Sequence, residues 1–114
     1  MKVVNLTPHS VTEVISNTTF PPSGKVTRVD TTQKVVKEIS LDGADRPITV
    51  YKTIYGAVQN LPKPEKDTLF IVSAPVLNAL LEKGIHRPDI VAPHKIMRDS
   101  GGTPRGCNGF RLNG

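Results

Sequence analysis

Cysteine occurs once in these 114 residues, tryptophan not at all, and three phenylalanines and two tyrosines are the only aromatics. The single Cys107 excludes an internal disulfide and any metal centre built from cysteines. A reduced, cytoplasmic compartment is the expectation that follows. So few aromatics argue against a stacking platform for single-stranded nucleic acid. No apolar run is long enough to span a bilayer, and the opening MKVVNLTPHS lacks the apolar stretch of a secretory signal. Glycine-rich phosphate loops of the Walker or dinucleotide type are also missing.

Catalytic and metal-binding patterns are equally sparse. The histidines, His9, His86 and His94, do not fall at the close spacings that share one metal ion. Cys107 lies between Gly106 and Asn108, where a small residue filling a tight strand is the natural reading. Asp67, Glu82, Asp89 and Asp99 do not pair locally as an acid and a base. These gaps predict a protein that is not an enzyme and needs no cofactor.

What is present is charge. Fifteen lysines and arginines face ten acidic residues, for a net charge of +5 and a pI near 9.6. That balance favours anionic partners such as nucleic acid, nucleotides or membrane phosphates. The cations are scattered rather than gathered in a run, as a solvated basic surface also requires.

The length predicts one small β-rich domain over residues 1–114 with a modest core. A ligand would then sit in a surface groove or between subunits. KVVNL at 2–6, HSVTEVIS at 9–16, KVTRV at 25–29, QKVVKEISL at 33–41 and ITVYKTIYGAV at 48–58 read as strands, rich in β-branched residues. NTTFPPSG at 17–24, DGADRP at 42–47 and QNLPKPEKD at 59–67 read as loops. TLFIVS at 68–73 is a buried strand leading into the single helix, near 74–83. Ser73 caps that helix, Pro75 fits its first turn and Gly84 ends it. Residues 85–94 read as irregular to extended, and KIMRD with PRGCNGF as a hairpin across SGGT. The last four residues are expected to fray. The fold class is α+β: mostly antiparallel sheet of short strands with one helix.

Basic and aromatic side chains on such ordered segments stand out. Lys52, Tyr55, Arg87, Arg98 and Arg105 are held by strands or their borders. Rigidly presented cations make charge-assisted bonds to phosphate, and a flat ring stacks a base. An Arg–Asp pair, as in HRPD and MRD, orients a guanidinium for that purpose or closes a surface salt bridge.

Four blocks carry a resemblance: VVNLTPHSV at 3–11, TIYGAVQNLP at 53–62, LFIVSAPVLNAL at 69–80 and RPDIVAPHKIMRDSGGTPRGCNGF at 87–110. Together they are similar to a family of short proteins encoded mainly in bacteriophage genomes, which resembles the anti-defence sponges that counter the Thoeris system. The resemblance implies a homo-oligomer that binds a cyclic ADP-ribose isomer, or a cyclic oligonucleotide, at a subunit interface and sequesters it without cleavage. Carried onto this chain, Arg98, Arg87 and Lys52 would hold phosphate, with Arg105 as a further cation. Tyr55 or Phe70 would stack a base, and Asn78 and Asp99 would read polar edges. Lys52 stands where an arginine is expected, and a lysine keeps the charge but loses the bidentate fork. Asn5, Thr7 and His9 belong to the first block, where Asn and Thr before a proline also make side-chain-to-backbone turns. The alternative from charge alone is a nucleic-acid-binding accessory protein.

Overall fold

The computed structural model describes residues 1–114. Its order is β1 (Lys2–Asn5), β2 (Val11–Glu13), β3 (Thr18–Phe20), β4 (Arg28–Ile39), β5 (Ile48–Gln59), β6 (Thr68–Ile71), α1 (Ala74–Glu82), β7 (Ile90–Pro93), β8 (Ile96–Arg98), β9 (Pro104–Cys107) and β10 (Phe110–Leu112). The class is α+β, dominated by sheet.

The main sheet runs β1-β6-β7-β10. β6 lies centrally, parallel to β1 and to β7, and β10 closes the far edge antiparallel to β7. The apolar TLFI run suits a strand enclosed on both faces, and Phe70, Ile71 and the adjoining Val72 are all buried. α1 provides the crossover from β6 to β7. Ser73 accepts a long bond from the Val76 N–H at 3.5 Å. At the other end Gly84, at φ +74°, lets the Ile85 N–H reach Leu80 O and the Gly84 N–H reach Leu81 O. Those two bonds form the Schellman cap that a left-handed glycine permits. Val76, Leu77, Ala79 and Leu80 face the sheet, whereas Leu81 is left partly exposed.

A second sheet, β3-β2-β9-β8, wraps the chain start around the C-terminal hairpin. β2 meets β9 at one register position, Glu13 opposite Cys107. There Gly106 adopts φ +150°, and a Cβ at this position would collide with the Thr12 carbonyl. Phe20 of β3 and Phe110 of β10 join the two sheets edge to face, with ring centroids 5.9 Å apart.

The NLTPH segment is a hydrogen-bonded knot. Asn5 is 2% exposed. Its amide donates to His9 O and Phe20 O, and its Oδ1 accepts the N–H and the hydroxyl of Thr7. Its backbone carbonyl takes the Ser23 hydroxyl. Asn113 does the same work at the other end: it accepts the Arg87 N–H and donates to Ile85 O.

Several sequence expectations change. Residues 28–39 form one strand where two were expected, because its long partner β5 pairs with it throughout. Thr18–Phe20 is a strand inside the expected 17–24 loop, ended by Pro21 and Pro22. Ile90–Pro93 pairs on both sides. The chain end does not fray, because β10 is paired and Asn113 is buried.

β4 and β5 form a separate two-stranded arm. Val29, Val58 and Leu61 anchor its base against the core, and α1 packs beside it. Beyond that base nearly every residue is exposed or half-buried. The arm draws the molecule out to 57 × 37 × 23 Å with a radius of gyration of 17.5 Å, against about 13 Å for a compact chain of this length. No helix is long and apolar enough to cross a membrane.

Two stability tests follow. Asn5→Ala leaves several buried partners unsatisfied, and the expected loss is about 3 kcal/mol in denaturant unfolding. Glu13 accepts the N–H groups of Ser16, Ile15 and Gly109. Led by Ser16, these bonds draw its carboxyl from 4.5 down to about 2. A carboxyl lowered on folding stabilises fully above its ordinary value and loses that contribution as pH falls towards the folded value. The stability gap between wild type and Glu13→Gln is therefore expected to close between pH 4.5 and about 2.

Candidate functional site

The residues expected to form one site are distributed over three surfaces. Arg87 sits beside the main sheet, clamped onto Asp89 by Nε at 2.9 Å and Nη2 at 2.6 Å, while Nη1 donates to Pro62 O at 2.7 Å. Each of the three guanidinium nitrogens is engaged, and the pair is mostly buried. The Arg87 bonds hold the Asp89 carboxyl below its usual range. Arg87 is thus a clasp between the 59–67 loop and β7, and its expected role as a free phosphate ligand is corrected.

Phe70 is also corrected. Its ring is 2% exposed and belongs to the core cluster with Leu6, Val72 and Leu77. It forms only the floor of a pocket of about 230 Å³, whose rim carries Lys2, Lys25 and Glu65. Within this chain the ring therefore presents no open face on which a base could stack.

Asp99 builds a turn. Its Oδ1 accepts the N–H groups of Gly101 and Thr103, fixing the β8–β9 connection. Arg98 and Arg105 project from that hairpin. Arg98 reaches only the Gly102 carbonyl, at 3.1 Å, and Arg105 has no partner. Both are exposed. Asn78 is exposed on α1, where its Oδ1 accepts from Arg111 at 3.3 Å. Cys107 is buried and its thiol points at Thr12 O. Desolvation, then the nearby Glu13 charge, pushes that thiol up, the opposite of an activated nucleophile.

Lys52 and Tyr55 lie on the arm, but on opposite faces. Side chains alternate along a strand, and the register from Thr31↔Tyr55 to Val35↔Tyr51 is unbroken. Tyr51, Thr53 and Tyr55 share one face. Ile48, Val50, Lys52 and Ile54 share the other. The two residues therefore do not grip one ligand within a single chain.

The lysine face carries a pattern that the sequence reading missed. Lys52 stands directly opposite Lys34. An irregularity between Val35 and Lys37 adds one residue to β4, which brings Lys37 opposite Val50 and back onto the same face. Directly opposed side chains have Cβ atoms about 5 Å apart, and like charges so placed are destabilising. The other residues on the outer part of the face are Thr32, Ile39, Ile48, Val50 and Ile54. Glu38, opposite Thr49, lies on the tyrosine face. Three ammonium groups thus share the outer part of a face whose one carboxylate on the paired strands, Asp30, lies nearer the base of the arm, beyond Thr32 and Ile54. The signal in the sequence is KVVK followed by a lysine in the paired strand, legible only once the register and the extra residue are known.

The wider charge distribution sharpens this. Only two ion pairs form, Arg87–Asp89 and the terminal amine with Asp67. Glu13 and Asp99 are spent on backbone amides. The basic excess is therefore left at the surface and spread over body and arm, with five cations and four carboxylates across residues 28–59; on the arm it is the register, not the net charge, that groups lysines. No group of three or more His, Cys, Asp or Glu gathers into a metal-binding cluster. No protein-family model matches the chain, and neither a curated protein nor a solved structure matches it.

The two arginines separate by experiment. Arg87→Ala strands a mostly buried carboxylate and is expected to cost about 2–3 kcal/mol of stability. Arg98→Ala is expected to change stability by less than about 0.5 kcal/mol. Denaturant unfolding of both variants checks the contrast.

Proposed function

We propose that this protein binds a cyclic nucleotide signal, of the cyclic ADP-ribose or cyclic oligonucleotide class, and sequesters it without cleavage, as a homo-oligomer. The observation that carries the reading is the Lys34–Lys52 pair with Lys37 beside it, three like charges on the outer part of one face, with the face's carboxylate, Asp30, set back towards the base. A phosphate or pyrophosphate relieves that repulsion by accepting charge-assisted bonds from neighbouring ammonium groups. Arg98 and Arg105 form a second cationic surface, which a partner subunit would bring to the ligand. The sequence resemblance supports the same class of ligand. Capture without turnover agrees with a raised Cys107 thiol and with carboxylates engaged in turns and clasps.

A second reading has its own support. The arm is a two-stranded ribbon of twelve-residue strands with lysines on one face, and such a ribbon fits the major groove of duplex DNA.

One experiment separates them. The purified protein is incubated with cyclic ADP-ribose isomers and cyclic di- and trinucleotides, filtered, then heat-denatured. Intact ligand leaving the filtrate and returning on heating is the expected result. Lys34→Ala combined with Lys52→Ala is expected to weaken capture by about tenfold or more, since each bond to a charged group contributes about 1.5–3 kcal/mol. Degraded ligand overturns the binder reading. Failure to capture, with duplex binding that weakens steeply with salt, moves the assignment to nucleic acid.

A further inference from the structure

The arm leaves its outer edges open. β4 and β5 pair only with each other, and a lone two-stranded hairpin is marginal in water. Large apolar side chains are exposed along it: Val35 at 51%, Val36 at 55%, Ile48 at 49%, Tyr51 at 59% and Ile54 at 38%. An uncovered strand edge of this kind is a template for another chain.

The two edges are not equivalent. β4 carries Arg28, Asp30, Lys34, Lys37 and Glu38, and an extra residue interrupts it at Val36. Charges and irregularities of that kind protect an edge from pairing. β5 carries one charge, Lys52, and its run Ile48–Tyr55 has no proline or glycine; the extra residue at the shift beside Val50 and Tyr51 belongs to β4. β5 is the edge without protection.

The surface area leaves room for such a contact. The chain exposes 7754 Å², about 1,600 Å² more than a compact monomer of this mass. A standard interface takes about 800 Å² from each partner, which the uncovered arm can supply.

We propose that the occupant of the β5 edge is β5 of a second copy, paired antiparallel about a two-fold axis, so that the two arms make one four-stranded sheet in the order β4-β5-β5-β4. The symmetry follows from the single edge: identical strands joined by one isologous contact run antiparallel. A two-fold axis perpendicular to the sheet keeps each side chain on its own face. The Lys34, Lys37 and Lys52 groups of both chains then share one face, and the tyrosines share the other. The pairing rests on the edge and the area. Its consequence for the ligand rests on the proposed function, and association is therefore measured without ligand.

Sedimentation over a wide concentration range is expected to give twice the chain mass of 12.4 kDa. Tyr51→Glu combined with Ile54→Glu places carboxylates on both faces of the β5 edge and is expected to weaken association by roughly tenfold or more. Thr32→Glu, on β4, is expected to leave it within about twofold. Hydrogen exchange on the wild-type protein reads the edge independently of any variant. Every second amide of residues 48–55 points away from β4, and in the dimer these exchange as slowly as their neighbours. A wild-type protein at chain mass throughout overturns the proposal. So does a dimer in which those outward amides exchange freely, or one disrupted by Thr32→Glu and not by the β5 substitutions. Loss of ligand capture with the dimer intact would remove the proposed function and leave the pairing standing.

Discussion

The Asn5 side chain makes a bond at each of its polar hydrogens and two at its oxygen, all from a position sealed inside the protein. Through it the first strand is tied to the turn that follows and to the end of β3. Asn113 performs the matching role where the chain returns to β7 and the end of α1. Between these two amides lies the apolar cluster of Leu6, Phe70, Val72, Val76, Leu77, Leu80, Ile90 and Ala92. That cluster is small, and the sheet it supports is only four short strands wide. Buried amides with fully determined partners supply the specificity that a core of this size lacks.

The same economy governs the charges. Three carboxylates are drawn into the architecture, where Glu13 and Asp99 organise turns and Asp89 locks Arg87. The other seven acidic residues stay exposed beside the cations. What groups positive charge is therefore local geometry: on the arm, cross-strand register forces two lysines to face each other.

The helix, its caps and the buried TLFI strand were legible because each has a local cause: a capping serine, a tolerated proline, a left-handed glycine and a continuous apolar run. The hairpin across SGGT was legible from its turn residues. The parallel pairing of β1 with β6 and the strand at Thr18–Phe20 were not, since distant partners decide them. For the site, Lys52, Arg98 and Arg105 were correctly read as presented by strands. What holds Arg87, Phe70 and Asp99 was not legible, because their partners are tertiary: a carboxylate with a loop carbonyl, a core and a pair of turn amides. Lys34 and Lys37 escaped notice because an extra residue in the middle of β4 changes which side chains share a face.

The contact between Glu13 and Gly109 joins residues 96 positions apart, and the Cys107 thiol reaches back 95 positions to Thr12. Nearly the whole chain must therefore be present before either sheet can close. Loops of that length are closed before the contacts that reward them form, so folding is slow for a chain of this size. The arm is different: its strands are neighbours in sequence and need no help from the C-terminal hairpin. The arm's register can therefore form once residue 59 has been made. A lone hairpin is marginal in water, so it stays transient until the core packs on Val29 and Val58 at its base or, under the proposed pairing, a second arm joins it.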